Sequence, residues 1–225
     1  MKKFFSTLIV LAVISTAMFA ETELFSVNFA IPFDTLNNKV EVSSNVPGYS
    51  GSATTKENFT SIGFGVSGVN MFNNLIGLYT DVEIGLTQSI KNDAGKFNRK
   101  EYLGDDGKQF AMNFMIGPAF KIIENDKMFF SAAPAFHWFM DYISYGGANA
   151  ISGGMIGLGA NASFSYFFTD LIGITAGLDF AFDFLGYGDF KKDEDSERSG
   201  GYYITASSKW THINFTPKVG LTFRF

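Results

Sequence analysis

The sequence predicts an all-β fold: a closed antiparallel eight-stranded transmembrane β-barrel, arranged as an up-and-down meander. Three observations predict it. From Glu21 onward hydropathy alternates with a period of two through about eight segments, each near the length of a tilted membrane-spanning strand. No segment after the N-terminus offers the uninterrupted apolar run of about 20 residues that a spanning helix needs. The connections between segments alternate between short and long, the asymmetry expected of a barrel with short periplasmic turns and long outer loops.

The N-terminus reads as an export signal. Lys2 and Lys3 precede the apolar run "FFSTLIVLAVI" and the small residues "STAMFA", with cleavage expected after Ala20 or, as second choice, Ala17. The chain thus divides into a signal at 1–20 and a barrel at 21–225. Strands are expected at 22–31, 59–69, 76–88, 109–120, 128–142, 154–167, 172–185 and about 212–225. In "IGLYTDVEIGLT", Ile76, Leu78, Val82, Ile84 and Leu86 share one face; Gly77, Tyr79, Asp81, Glu83 and Gly85 share the other. "QFAMNFMIGPAF" sets Phe110, Met112, Phe114, Ile116 and Phe120 against Gln109, Asn113 and Gly117. "IGITAGLDFAFDF" sets Ile174, Leu178, Phe180 and Phe182 against Thr175, Gly177, Asp179 and Asp183. Short turns fall at 70–75, 121–127 and 168–171, and long loops at 32–58, 89–108, 143–153 and 186–211. "MFNNLIGL" at 71–78 and "FFTDLIGI" at 167–174 look like one turn used twice, with Asn or Asp in the bend.

Composition decides which face meets lipid. The more polar face is mostly Gly, Ser, Ala and Asn, whereas a water-soluble barrel would carry Lys, Glu and Thr there. The opposite face is crowded with Phe, Leu and Ile. Small residues suit the cramped lumen of an eight-stranded barrel, and bulky apolar ones suit hydrocarbon. Charged residues are only 17% of the chain, and there are 27 Phe. Cysteine is absent, which removes disulfides, thiolate metal sites and a lipid anchor on cysteine. A net charge of −5 argues against a nucleic-acid partner. The stretch "GFGVSG" at 63–68 has the spacing of a dinucleotide-binding turn, but another strand follows it where a helix is required. Gly63 and Gly65 are read as lumen-facing positions, and Gly68 as the approach to the short turn. Aromatic girdles are expected from Phe72, Phe129, Phe168 and Phe223 below, and from Trp138, Tyr142 and Tyr203 above.

Polar groups inside such a barrel are the candidate site. Counted up from the short-turn ends, Glu83, Asn113, Asp179 and Lys218 fall at one height and Asn161 just below, with Asp179 expected opposite Lys218. Asp81, His137, Asp141, Asp183, His212 and Arg224 also face inward. A plug that locks the lumen is favoured over a selectivity gate, since small barrels fill themselves with side chains. Acids outnumber bases, so any leak should favour cations. His137 and His212 face the outer half of the lumen, with Asp141 on His137's strand, but no serine can be placed beside them, and they read as histidines satisfied in a lumen network. No catalytic residue, metal site or cofactor is expected.

The last residues, "HINFTPKVGLTFRF", alternate to a terminal Phe225, with Phe223, Leu221, Val219 and Phe215 on its face. This strand resembles the final strand of outer-membrane barrel proteins of double-membraned bacteria, and the mature chain as a whole resembles the small OmpX, OmpW and OmpA-barrel types. No motif selects one subfamily. The resemblance implies that Leu221, Phe223 and Phe225 are read by the barrel-assembly machinery. It also implies an outer-membrane location and a lipid environment; a monomer is expected, without the peptidoglycan-binding domain that trails some family members. The roles it leaves open are surface interaction, with an extracellular ligand at loops 32–58, 89–108 or 186–211, and a narrow passage for small solutes or cations. A lipid-modifying enzyme is a weaker third. The loop charges nearly cancel, so no polyanion is favoured.

Overall fold

A computed structural model describes residues 22–44, 51–92, 94–103, 107–144, 150–188 and 204–225. The signal segment and Tyr203 lie outside them. The strands are β1 (Thr22–Ala30), β2 (Phe33–Ser44), β3 (Gly51–Met71), β4 (Ile76–Asn92), β5 (Gly95–Asn98), β6 (Lys108–Glu124), β7 (Met128–Ser144), β8 (Ala150–Phe167), β9 (Ile172–Gly188) and β10 (Ile204–Arg224), with one short helix, α1 (Arg99–Leu103). β1 and β2 are two halves of one stave. Both lie between β3 and β10, β1 at the short-turn end and β2 at the outer end. From there the ring runs β3, β4, β6, β7, β8, β9 and β10, every pair antiparallel. Eight staves therefore close on themselves, as the alternation predicts.

The predicted facing holds. Phe64 and Leu158 are each 63% exposed, Phe180 50% and Leu221 53%, while Asp81, Glu83, Asn113, Asp179 and Lys218 are buried. Apolar side chains thus point outward from a ring whose backbone bonds are satisfied internally, the condition for crossing a bilayer. No helix among the described residues is long and apolar enough to cross. The strands do it.

The three described tight turns share one device. Asn73 Oδ1 accepts from the amides of Leu75 and Ile76, both at 2.8 Å. Asn125 Oδ1 accepts from Lys127 and Met128, and Thr169 Oγ1 accepts from Leu171 and Ile172. A short polar side chain bonded two and three residues ahead pins each bend. The repeat is as expected, except that Thr169, and not Asp170, holds the second copy.

The outer half departs from expectation. Loop 32–58 is mostly sheet: β2 pairs with β3 from Phe33↔Thr60 to Val42↔Gly51, and with β10 from Phe215 up to Ile204↔Ser44. β10 accordingly starts at Ile204 within the expected loop 186–211. Both stretches set polar residues on both faces, which interrupts the hydrophobic alternation. Pro32, which lacks an amide hydrogen, breaks the stave between β1 and β2. Its carbonyl instead accepts from Ser61 N at 2.9 Å, beside the register shift at Thr60/Ser61. Loop 89–108 is folded too. Asn98 and Glu101 cap α1 reciprocally, each side chain accepting the other's amide at 2.9 Å. The helix delivers Leu103 into the barrel mouth at 4% exposure.

The β9–β10 ladder ends at His212↔Asp183. Above that pair β9 continues beside β8, and β10 continues beside β2.

Candidate functional site: a layered lumen

Side chains fill the lumen in layers. At the short-turn end Leu24, Val69, Met71, Ala119, Phe129 and Phe167 belong to one buried apolar cluster. Phe129 is 1% exposed, so it packs inside the barrel and is not part of a girdle. Its odd place in "MFFS" puts it on the inward face of β7. Phe72 and Phe168, in contrast, are exposed as expected. At the outer end Leu36, Phe59, Ile90, Leu103, Phe139 and Met155 form a second apolar cluster, with Trp210 packed against it. A polar belt lies between.

The central part of that belt is built on Lys218. Its ammonium donates to Asp179 Oδ2 at 2.6 Å, to Tyr79 Oη at 2.8 Å and to Asp81 Oδ1 at 3.0 Å, using all three protons. Asn161 donates to Asp179 Oδ1 at 2.6 Å, and Asn113 donates to Glu83 Oε1 at 3.3 Å. The five residues expected to form a layer are therefore brought together in one cluster. The expected register is not: Asp179 pairs with Thr216, and Lys218 with Gly177. The long lysine stem closes that diagonal. Below, Ser26 bonds Thr222, Asn28 bonds Ser67 and Ser165 bonds Thr175. A void beside Ser26, Asn28, Ser67, Asn161, Ser163 and Lys218 has about 10 Å³ of room for a water centre, enough for about one water.

The glycines of "GFGVSG" serve this packing. Gly63 is buried, and a Cβ there would lie 3.4 Å from the Glu83 side chain; at Gly65 it would lie 2.7 Å from Val82 O. Strands β3 and β4 approach closely because no side chain intervenes. Gly65→Ala is expected to destabilise the barrel by about 1–3 kcal/mol, the usual cost of overpacking, read from urea unfolding in detergent.

A second cluster sits higher. Asp183 accepts from His137 Nδ1 at 2.9 Å and from His212 Nδ1 at 2.7 Å; His212 Nε2 donates to Asp34 Oδ1 at 3.0 Å. Asn214 Nδ2 also donates to Asp34 Oδ1, at 2.8 Å, and the Phe139 ring stacks on His212 at 3.8 Å. His137 does not pair with Asp141 on its own strand. Asp141 instead accepts from Gln109 Nε2 at 3.1 Å, because His137 and Asp141 stand four residues apart on one extended strand. Arg224 lies at the lower rim, its guanidinium 3.6 Å from the Phe167 ring centre and bonded to the Asp126 carbonyl. Leu221 and Phe225 point outward, and the Phe225 amide donates to Glu23 O at 2.9 Å, closing the last strand on the first.

Tyr79, Asp34, Asn214 and Gln109 were not among the expected site residues. Tyr79 is on the predicted inward face, but its hydroxyl role needs the lysine beside it. Asp34 was assigned to a loop. Among the described residues, two sets have donor atoms close enough to hold a metal ion, within 4.8 Å of one another: His137, Asp183 and His212, and Asp81, Glu83 and Asp179.

Residues 124–225 match a domain of unknown function (DUF2715), which is less than half of the chain. No curated protein matches the chain by sequence. Among solved structures, the outer membrane protein OprG from Pseudomonas aeruginosa aligns with a TM-score of 0.52 at 10% identity, over 92% of this chain and 96% of that one. The attachment invasion locus protein Ail of Yersinia pestis aligns at 0.42 with 16% identity, over 88% and 99%. The outer membrane protease OmpT from Escherichia coli aligns at 0.43 with 8% identity, over 92% and 97%. The OprG comparison carries the argument, and it concerns architecture alone: this chain has the fold of the small outer-membrane β-barrels.

Proposed function

We propose that the protein is a monomeric outer-membrane barrel that acts from its outer surface, with a lumen that is a structural plug. The observation that carries this reading is the layering of the lumen. Apolar clusters above and below enclose a hydrogen-bonded polar belt whose described void holds about one water. The sheet that rises beyond the belt, made of β2 with the outer parts of β3 and β10, carries the surface for an extracellular ligand at 32–58, 89–108 or 186–211. Export by the N-terminal signal, lipid contact and recognition of Leu221, Phe223 and Phe225 by the assembly machinery belong to the same reading. Catalysis does not. Among the described residues, His137 and His212 hydrogen-bond carboxylates and no Ser or Thr hydroxyl.

One observation favours a narrow cation passage instead. Asp34, Asp81, Glu83, Asp141, Asp179 and Asp183 outnumber Lys218, His137 and His212 in the belt. Planar-bilayer recording of the refolded protein decides between them. A silent membrane is expected; stable cation-selective steps would replace the plug by the passage.

A further inference from the structure

We infer that His137, His212 and Asp183 form a binding site for one divalent transition-metal ion of the zinc class, set at the outer end of the β9–β10 ladder. The inference is independent of whether the barrel conducts.

Three observations converge. The donor set is two imidazole Nδ1 atoms and one carboxylate, contributed by β7, β10 and β9, with the three donor atoms inside 4.8 Å of one another. In a tetrahedral zinc site, bond lengths of about 2.0–2.2 Å place neighbouring donors about 3.3 Å apart. The present Nδ1-to-carboxylate separations of 2.9 and 2.7 Å need to open by only a few tenths of an ångström. An ion there replaces the protons that the Nδ1 atoms share with Asp183. Two nitrogens and one oxygen, with a fourth position for water, select zinc-like ions over calcium or magnesium, which prefer oxygen alone.

The outer shell is also built. His212 Nε2 donates to Asp34, and Asp34 is held in turn by Asn214. A carboxylate on the far nitrogen is the arrangement that fixes the tautomer of a metal-binding histidine and strengthens it as a ligand. His137 Nε2 has no hydrogen-bond partner, so His137 is the less constrained ligand. Charge balance agrees. With neutral imidazoles the buried carboxylates of Asp34 and Asp183 carry two negative charges, which one dication neutralises.

The third observation is position. The β9–β10 ladder ends at the His212–Asp183 pair itself. An ion bound there ties β9 to β10 at the outer end of their paired ladder, and ties both to β7. Phe139 on the His212 ring and the apolar cluster above close the outer side. The ion is therefore captured as the barrel closes and exchanges slowly afterwards.

The full chain refolded in detergent with cobalt(II) or zinc(II), then desalted, is expected to keep about one metal per protein and, with cobalt, to show the visible absorption of a four-coordinate site. His212→Gln is expected to lose both, with folding checked by the heat-dependent gel shift of barrel proteins. Asp34→Asn is expected to bind about 10–100-fold more weakly. Asp81→Asn, in the other acidic cluster, is expected to retain the metal. Wild-type protein without stoichiometric metal, or His212→Gln that keeps it, overturns the inference. If His212→Gln does not fold, X-ray absorption of the zinc-loaded wild type decides. A shell with two imidazoles upholds the site, and an all-oxygen shell refutes it.

Discussion

Lys218→Met is expected to destabilise the barrel by about 3–5 kcal/mol, the cost of removing one partner from a buried ion pair. Lys218 neutralises both Asp81 and Asp179 and donates to Tyr79, and all four residues are inside the wall. Methionine matches the length of the stem and fits the space that Gly177 leaves beside it, where a Cβ would lie 3.0 Å from Lys218 Cε. The loss therefore isolates charge from packing. Two carboxylates would then stand in the belt without a cation, and they must take up protons or unfold the structure. The triple variant Lys218→Met, Asp81→Asn, Asp179→Asn removes the stranded charges together. It is expected to recover most of the loss, because residues in one network do not contribute additively. Urea unfolding in detergent micelles, followed by tryptophan fluorescence, reads both effects. A single variant within about 1 kcal/mol of wild type, as for an exposed pair, would show that water reaches the cluster and that the lumen is not plugged.

The membrane wall was legible in the sequence, and the chemistry inside it only in part. Lipid on one side and a packed lumen on the other impose a strict period of two, so Ile84 against Glu83, or Phe180 against Asp179, could be read directly. Where the sheet rises out of hydrocarbon that constraint ends. "VEVSS" and "TASSKWT" lack the long two-faced alternation of the barrel wall, which is why β2 and the start of β10 read as loop. Facing also fixes direction without height. Asp179 and Lys218 were expected to meet, and they do, but across a diagonal that only the register reveals. Asp34 shows the combined effect. Its stave is broken by Pro32 and its strand is polar, so nothing local announced that it would hold His212 from 178 positions away. Phe129 erred in the other direction: an aromatic near a strand end has the composition of a girdle residue, and only its parity on β7 sends it inward.

Phe180→Arg tests the assignment on which both lumen clusters depend. Phe180 is 50% exposed, beside Phe215 on β10 and Ala160 on β8, near the centre of the outward run from Ile172 to Phe184. In a barrel surrounded by water, a half-exposed phenylalanine can be exchanged for arginine with a change of about 0.5 kcal/mol or less, the usual range at surface sites. In hydrocarbon the guanidinium loses its hydration, and near the bilayer centre the cost is about 2–4 kcal/mol. Moved towards an interface the same residue should cost about 0–1 kcal/mol, because its long side chain reaches the headgroups. Ile172→Arg, next to the 168–171 turn, supplies that comparison on the same strand and the same face. Unfolding in lipid vesicles is expected to show the larger loss for Phe180→Arg and the smaller for Ile172→Arg. Equal and negligible losses would mean that no apolar slab surrounds the barrel, and the buried charges inside it would need another explanation.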